Sequence, residues 1–166
     1  LAELDATRPL NMSYDDFYRY SKEDLSSHNA RSKRLAIDTT DGKHIGNCMF
    51  YDIDMRDGEA EVGIMIGDKD YWSQGYGTEA LNVLLDHMFN AYIFKRVYLH
   101  TLNWNQRAVN SFRKSGLRKV KQVTRSGKNF INMEILRHDW EALRAEKLNA
   151  QAPIDKVSPE KSISPP

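Results

Sequence analysis

The residues of this chain best placed for chemistry are two glycines, Gly75 and Gly77, between an apolar, strand-like segment and a segment with helical spacing. The first turn of a helix leaves backbone N–H groups without partners at the positive end of the helix dipole. Glycine lets a bulky anion approach these groups because it has no Cβ. The spacing therefore predicts a phosphate-binding turn, with an ordinary strand-to-helix turn as the alternative. The glycine patterns of dinucleotide-binding folds and of P-loops are both absent.

A carboxylate, Glu61, lies in the segment just before this turn. Because residues alternate between the two faces of a strand, Glu61 shares its face with Gly63 and Met65. Ala60 and Val62 then point to the other face. If the face of Glu61 lines a cleft, this carboxylate could accept a proton there. The alternative is a solvated strand glutamate, since strand carboxylates are mostly exposed.

Hydrophobic spacing predicts the elements that must position these residues. Alternating patterns bounded by turn residues predict strands, and apolar residues at i, i+3 and i+4 predict helices. The predicted strands span residues 35–39, 44–55, 59–66, 96–102, 117–124 and 130–136. The predicted helices begin at Ser13, after the glycine turn and at Asn105, and a short one spans residues 139–148.

This order of elements predicts an α+β, or mixed α/β, fold with a mainly antiparallel central sheet flanked by helices. The first three strands should form an antiparallel meander, and the last two a hairpin with its turn at residues 125–129. One domain is predicted over residues 1–148. Residues 149–166 are rich in Ser, Pro and Lys, which predicts a disordered polar tail.

Composition argues against several classes of protein. The 166 residues carry 24 Lys and Arg against 23 Asp and Glu, a net charge of +1, which gives no bulk electrostatic reason to expect nucleic acid or an anionic membrane. A single cysteine, Cys48, excludes an internal disulfide and a multi-cysteine metal site. No apolar run approaches the roughly twenty residues that cross a bilayer. We expect a soluble, cytoplasmic protein.

Two segments resemble the GNAT superfamily of N-acetyltransferases. Residues 71–80 read Tyr-Trp-Ser-Gln-Gly-Tyr-Gly-Thr-Glu-Ala, which is similar to the Tyr-Trp-Gly-Lys-Gly-Tyr-Gly/Ala-Thr-Glu-Ala of the ribosomal-protein-alanine acetyltransferase branch. Residues 105–117 are similar to the family's Asn-x-x-Ala/Ser-x-x-x-Tyr-x-Lys-x-Gly-Phe block. The resemblance covers residues 12–140 and is strongest over residues 59–117.

The resemblance implies the acyl-CoA N-acyltransferase fold and the transfer of an acetyl group from acetyl-CoA, as co-substrate, to a primary amine. No metal is required. The family usually begins with a strand and a helix before the segment that starts near Ser13. Since only 12 residues precede Ser13, we expect the usual first strand and helix to be missing.

The resemblance also implies where acetyl-CoA binds. In the family the pantetheine arm pairs with a strand edge that corresponds to residues 63–66, including Met65 and Ile66. The diphosphate lies on main-chain amides that correspond to those of Gln74, Gly75, Tyr76, Gly77 and Thr78. Asn105 matches an asparagine that contacts the cofactor arm. It is equally suited to cap the following helix, and both roles can hold.

Two catalytic candidates follow from the resemblance. Glu61 matches the family's glutamate at this site, which favours a role as the base that accepts the amine proton. Phe112 stands where many members have a tyrosine that protonates the leaving thiolate, and a phenyl ring donates no proton. Ser111 is our candidate acid, and Tyr98 is another neighbour that could replace the tyrosine. An ordinary, locally hydrogen-bonded helix serine is the alternative for Ser111.

The acceptor is predicted only as a primary amine, either the amino end of a protein or a small molecule such as a polyamine, an amino acid or an aminoglycoside. We expect a monomer or a homodimer. The phenylalanine in place of tyrosine and the missing first elements suggest a second function, that of a non-catalytic acyl-CoA-binding module. A nucleotide-phosphate binder of another fold is a third.

Overall fold

The computed structural model describes residue 13 and residues 32–151 of the chain. Within this part, six strands, three α-helices and a short 3₁₀ turn form the fold. The strands are β1 (Lys33–Asp38), β2 (His44–Asp54), β3 (Glu59–Ile66), β4 (Arg96–Leu102), β5 (Arg118–Arg125) and β6 (Lys128–Leu136). The helices are α1 (Tyr76–Ala91), α2 (Gln106–Lys114) and α3 (Arg137–Gln151), and the 3₁₀ turn spans Lys69–Tyr71.

The described strands form one sheet in the order β1-β2-β3-β4-β6-β5. Strands β1, β2 and β3 form an antiparallel meander, and β5 and β6 form an antiparallel hairpin. Strand β4 runs parallel to β3 because α1 crosses over between them, and it runs antiparallel to β6. The predicted mixed fold class, meander and final hairpin are confirmed.

One face of the sheet is apolar and packs against α1 and α3. The residues that α1 buries follow the spacing of a single helical face; they are Leu81, Leu84, Leu85, Met88 and Phe89. Trp140 of α3 stacks on Phe89, with the ring centroids 5.1 Å apart. Ala60 and Val62 of β3 are buried in this core. Glu61, between them, therefore points to the opposite, polar face of the sheet.

Several strands differ by one or two residues from their predicted bounds, and the last hairpin turn and the last helix differ most. The turn of the last hairpin consists of Ser126 and Gly127 alone, and both have positive φ (49° and 73°), which suits a two-residue hairpin. Helix α3 begins at Arg137 and extends to Gln151. It therefore includes the first residues that we had assigned to the tail. By contrast, the strands predicted at residues 59–66 and 96–102 are confirmed.

Arg137, the first residue of α3, is anchored to the end of α1 and the segment that follows it. Its guanidinium donates hydrogen bonds to the carbonyl oxygens of Phe89 (2.8 Å), Tyr92 (2.7 Å) and Phe94 (2.7 Å). The last carbonyls of a helix have no partner within the helix. Arg137 therefore joins the start of α3 to the C-terminal end of α1.

Several predictions concern residues outside the described part of the chain: the helix that begins at Ser13, the missing first strand and helix, and most of the tail. No helix among the described residues combines the length and the apolar character that a membrane crossing needs. The same residues contain no group of three or more His, Cys, Asp and Glu side chains arranged to hold a metal ion.

Candidate active site

Strands β3 and β4 diverge, and a cleft opens beside the part of β3 that β4 leaves unpaired. Their parallel pairing covers only residues 59–61 of β3 and 96–98 of β4. Beyond Glu61, no described strand pairs with β3 on the side of β4, whereas β2 pairs with β3 on the other side as far as Ile66. The open edge includes residues 63–66, where the resemblance places the pantetheine arm.

The glycine turn lies beside this open edge, immediately before α1. Gly75 is the N-cap residue and has the left-handed conformation, with φ 96° and ψ −21°. In the described part of the chain, no acceptor contacts the amides of residues 74–77. Thr78 differs from the prediction, because its amide already donates to the carbonyl oxygen of Gly75 (2.9 Å). Among the described residues nothing therefore competes with an anion for the preceding amides, whereas that of Thr78 is already bonded.

The protein itself does not require glycine at position 77. A Cβ on Gly77 would lie 3.8 Å from both Ile66 Cγ1 and Ser111 Oγ, which are ordinary contact distances. A Cβ on Gly75 would meet no atom within 4 Å, although its positive φ does favour glycine. The missing side chains leave space in front of the free amides, as the close approach of a phosphate requires.

A cavity of ≈ 330 Å³ joins the glycine turn, the open edge of β3 and helix α2. Its volume lies in the range of small-molecule sites. The predicted site residues in its wall are Met65, Ile66, Gly75, Gly77, Thr78, Asn105 and Ser111. Trp72, Arg107, Phe112 and Lys114 are also among the lining residues. The fold thus brings residues from three separate segments to one cavity.

Three predicted site residues, Glu61, Gln74 and Tyr76, lie outside the wall of this cavity. The side-chain amide of Gln74 donates to the carbonyl oxygen of Asp70. The ring of Tyr76 packs edge-on against Tyr71, with the centroids 5.2 Å apart. The side chains of Gln74 and Tyr76 therefore stabilise the loop, and only their backbone amides can serve a ligand.

The side chain of Trp72 ties the glycine turn to β3. Its indole N–H donates to the carbonyl oxygen of Ile66 (2.8 Å). The guanidinium of Arg107 lies over the indole, 3.7 Å from the ring centroid, in a cation–π arrangement. Because the Ile66 carbonyl is already engaged, residues 63–65 form the freer edge for a ligand. Ile66 still contributes its side chain to the cavity wall.

Asn105 caps helix α2 and also lines the cavity. Its side-chain oxygen accepts a hydrogen bond from the amide of Ala108 (3.3 Å), so the predicted N-cap is confirmed. Ala108 lies in the cavity wall beside it. The contact of Asn105 with the arm of a cofactor stays a prediction.

The hydroxyl groups of Ser111 and Thr78 lie 2.8 Å apart and link α2 to α1. This partner is distant in sequence, so the alternative of a locally bonded helix serine is wrong. Phe112, where the family often has tyrosine, is 7% exposed and lies in the cavity wall. Ser111 therefore places a hydroxyl in the cavity beside the ring that has none.

Glu61 is the last residue of β3 that pairs with β4. It is only 8% exposed, so the alternative of a solvated glutamate is wrong. Its Oε1 lies 2.8 Å from Nδ1 of His100. No donor among the described residues contacts its second carboxylate oxygen. Glu61 is thus a buried carboxylate outside the cavity wall, with one oxygen paired and the other without a donor among the described residues.

Tyr98, the other neighbour considered as an acid, lies beside Glu61 in the sheet. The guanidinium of Arg96 lies over its ring, 4.4 Å from the centroid. Burial first, and then the negative charges of Glu61 and Glu59, raise the pKa of the Tyr98 phenol. It therefore keeps its proton at neutral pH. Tyr98 is outside the cavity wall that contains Ser111, so Ser111 stays the preferred candidate.

Three further residues beside the predicted ones are His100, Asn132 and Arg107, whose roles the sequence does not predict. His100 and Asn132 face each other across β4 and β6, and the pairing of β3 with β4 brings Glu61 to them. Strand alternation puts His100 on the same face of β4 as Tyr98. This shared face can be predicted from the sequence. The register between the strands is not visible in the sequence.

Comparison with known proteins agrees with this geometry. The family model described as the acetyltransferase (GNAT) domain matches residues 5–118. An uncharacterized N-acetyltransferase, p20 of Bacillus licheniformis, is 29% identical over 99 residues, which are 57% of this chain and 55% of that protein. The chain therefore matches little more than half the length of this curated relative.

Solved structures share the fold. The spermidine N-acetyltransferase of Vibrio cholerae in complex with CoA and spermine matches with a TM-score of 0.73 and 18% identity, over 84% of each chain. A mutant of SpeG, the spermidine N-acetyltransferase of Vibrio cholerae, matches with a TM-score of 0.67 and 20% identity, over 77% of this chain and 78% of that one. These likenesses establish the acyl-CoA N-acyltransferase fold. Because the family model matches more than half of its residues, the chain belongs to the GNAT family of acetyltransferases.

Proposed function

We propose that this protein transfers the acetyl group of acetyl-CoA to a primary amine, directly, in a ternary complex. The observation that carries the proposal is the row of amides at residues 74–77, which have no acceptor among the described residues and lie beside the open edge of β3. The amides suit a diphosphate, and an open strand edge suits an extended arm with amide groups of its own. Membership of the GNAT family supports the same function.

The residues of the cavity fit acetyl-CoA. The free amides would hold the diphosphate, and the backbone of residues 63–65 would pair with the arm. Arg107 and Lys114 in the cavity wall bring positive charge to the phosphates. Asn105 would contact the arm from the side of α2. When bound, acetyl-CoA supplies the reactive thioester.

Acetyl transfer needs a neutral amine and a proton for the leaving thiolate. Glu61 would accept the amine proton on its unpaired oxygen, directly or through water. Ser111 would supply the proton to the thiolate, because its hydroxyl lines the cavity and the neighbouring Phe112 has no proton to give. The hydroxyl of Thr78, 2.8 Å away and also in the cavity wall, would relay a proton from solvent water back to Ser111, and Glu61 would release the proton that it gained to solvent.

Two classes of acceptor deserve a direct comparison. The similar solved structures are spermidine N-acetyltransferases, one of them with spermine bound. The glycine turn instead resembles that of the ribosomal-protein-alanine acetyltransferases. Glu61 suits both classes, because each presents a primary amine that must lose a proton. Turnover with spermidine, measured beside turnover with a peptide that begins with alanine, distinguishes a small polyamine from the amino end of a protein.

A non-catalytic acyl-CoA-binding module is the second candidate, and Phe112 is the residue that favours it. The two functions differ in the release of free thiol from acetyl-CoA when amines are added. The enzyme releases thiol. The module binds acetyl-CoA but releases no free thiol from it.

Calorimetric titration with coenzyme A tests the proposed binding site. We expect the wild-type protein to bind and Gly77→Glu to weaken the affinity by at least about 100-fold, because the new carboxylate fills the space before the amides and repels a diphosphate. The position is well suited to the test. A Cβ fits there without a clash, and the backbone has no positive φ.

Gly127→Glu is the matched control. It adds the same charge in the exposed turn between β5 and β6, where φ is +73° and a Cβ meets no atom within 4 Å. We expect it to bind coenzyme A as the wild type does, although its backbone is more strained than that of Gly77→Glu. Thermal unfolding shows whether each variant is folded. Equal affinity of Gly77→Glu and wild type would contradict the site.

A further inference from the structure

A buried histidine, His100, lies against Glu61 but takes no part in the proton transfers described above. Its Nδ1 is 2.8 Å from Oε1 of Glu61, and both side chains are 10% exposed. His100 belongs to β4 and Glu61 to β3, and these strands stay paired only as far as Tyr98. The contact therefore fixes the carboxylate at the point where the two strands part.

The neighbours of His100 show which ring nitrogen carries the proton. Nδ2 of Asn132 lies 3.3 Å from the carbonyl oxygen of Leu99. A carbonyl oxygen only accepts hydrogen bonds, so this end of the Asn132 amide is its NH₂ group. The same group lies 3.1 Å from Nε2 of His100, and Nη2 of Arg125 lies 3.4 Å from that atom. Both neighbours can only donate, so Nε2 is the acceptor and Nδ1 carries the hydrogen.

We propose that His100 is a positioning residue that holds Glu61 through its Nδ1–H, in a neutral tautomer set by Asn132. The inference rests on the proposed function, in which Glu61 accepts the amine proton. A hydrogen bond to Oε1 orients the carboxylate and leaves Oε2 for the amine. A neutral imidazole does this without the full positive charge that would make the carboxylate a weaker base.

The burial of Asn132 agrees with this role. Asn132 is 2% exposed, and its amide oxygen is buried without a partner among the described residues. A buried polar atom without a partner destabilises the fold. The NH₂ group of the side chain nevertheless points to Leu99 and His100. If the amide were rotated by 180°, its oxygen would face the carbonyl oxygen of Leu99, and two acceptors would meet.

The proton balance of acetyl transfer leaves the histidine unchanged. The amine nitrogen attacks the acetyl carbonyl carbon, the C–N bond forms and the C–S bond breaks. The proton that the amine loses passes to Oε2 of Glu61, and the thiolate takes a proton from Ser111. Glu61 then releases its proton to solvent, and Ser111 regains one from solvent water through the hydroxyl of Thr78, so both side chains end as they began. His100 keeps its proton on Nδ1 throughout, so it contributes the orientation of the base and no proton.

Two substitutions distinguish the ring nitrogens of His100. In His100→Asn the side-chain NH₂ takes the place of Nδ1–H and still reaches Glu61. In His100→Gln the longer amide reaches the position of Nε2 and leaves Glu61 without its donor. We expect kcat of His100→Asn to stay within about fivefold of wild type and kcat of His100→Gln to fall about 10- to 100-fold. The KM for acetyl-CoA should not change, because His100 lies outside the cavity wall.

His44 supplies a matched control on the same sheet. Its Nδ1 also lies 2.8 Å from a carboxylate oxygen, that of Asp38, but these side chains are 55% and 51% exposed. His44→Asn and His44→Gln should both keep the wild-type kcat. Equal losses in the two His100 variants, with both folded by thermal unfolding, would overturn the proposal, and so would full activity of His100→Gln.

Nitrogen-15 NMR of the imidazole groups tests the tautomer without any turnover. The signals of His100 are identified by their loss in His100→Asn. We expect a protonated Nδ1 and an unprotonated Nε2 at neutral pH. A wild-type protein that has this tautomer but releases no thiol with any amine would refute the acetyl transfer and leave the arrangement of His100 standing. A protonated Nε2 would overturn the arrangement itself.

Discussion

Strand β4 has a neighbour on each side, and the two pairings differ in length. With β6 it is paired over its whole length, from Arg96 to Leu102. With β3 it is paired only over residues 96–98. We call these the closed side and the open side of β4. The difference shows that a single strand can complete the sheet on one side and leave backbone groups for a ligand on the other.

The side chains on the two sides of β4 also differ, in how far they are buried. On the closed side, Leu99 and Met133 are partners in the register and are 2% and 0% exposed. On the open side, Met65 is 38% exposed, and Ile64 is half-buried in the cavity wall. Residues of the closed side stabilise the fold, whereas those of the open side leave apolar surface that a bound molecule can cover.

The largest effect is expected at Glu61, where the open side begins. Glu61→Gln keeps the shape of the side chain and removes the charge that accepts a proton. We expect kcat to fall about 10²- to 10⁴-fold, while calorimetry shows unchanged affinity for coenzyme A. Release of free thiol in the presence of an amine measures the loss. Undiminished turnover in the variant would assign the base to another residue.

A second pair of variants compares the two sides directly. Met133→Ala leaves a cavity in the core of the closed side and should lower the free energy of unfolding by about 2–5 kcal/mol. Met65→Ala on the open side should change it by less than about 0.5 kcal/mol, and it should weaken the binding of coenzyme A. Urea denaturation and calorimetry measure the two quantities. A large loss of stability in Met65→Ala would remove the distinction between the sides.

A smaller loss of stability than that of Met133→Ala is expected at Glu134, which lies on β6 at the closed side. Burial would raise the pKa of its carboxyl, but hydrogen bonds from Arg96 and Arg118 outweigh burial and lower it. A lowered pKa in the folded state stabilises the protein above the pKa of the unfolded chain, and this contribution is lost as the pH falls through the lowered value. We expect Glu134→Gln to cost about 1–3 kcal/mol at neutral pH.

The pH dependence provides the control for Glu134. The difference in unfolding free energy between wild type and Glu134→Gln should shrink as the pH falls below the ordinary pKa of a glutamate. The larger share should come from Arg96, because the side chain of Arg118 is 60% exposed and exposed ion pairs contribute little. A difference that stays constant down to low pH would show that the ion pairs do not stabilise the fold.

Local patterns in the sequence were sufficient to predict much of the fold. The strand at residues 59–66 and the N-cap at Asn105 depend on alternation and on capping, which act between residues close in the chain. The same holds for the glycine turn. The left-handed conformation of Gly75 is one that glycine adopts readily because it has no side chain. The family resemblance added the expected fold, which the structure confirms.

Contacts between residues that lie on different elements could not be predicted from the sequence. The pairing of Glu61 with His100 depends on a parallel register that no local pattern encodes. The bond from Trp72 to Ile66 likewise depends on how the loop folds back onto β3. One local detail also differs from the prediction, because the amide of Thr78 closes the first turn of α1 on Gly75. Such details decide which atoms a ligand can reach.

The guanidinium of Arg137 gives helix α1 two unlike ends. It neutralises the carbonyls of Phe89 and Tyr92 with a permanent cation, which is also the charge that the negative end of a helix dipole favours. At the opposite end, Glu79 lies in the first turn, but among the described residues no anion bonds to the amides of residues 74–77. A bound diphosphate would supply the anion that complements Arg137, so cofactor and protein together complete the electrostatics of a single helix.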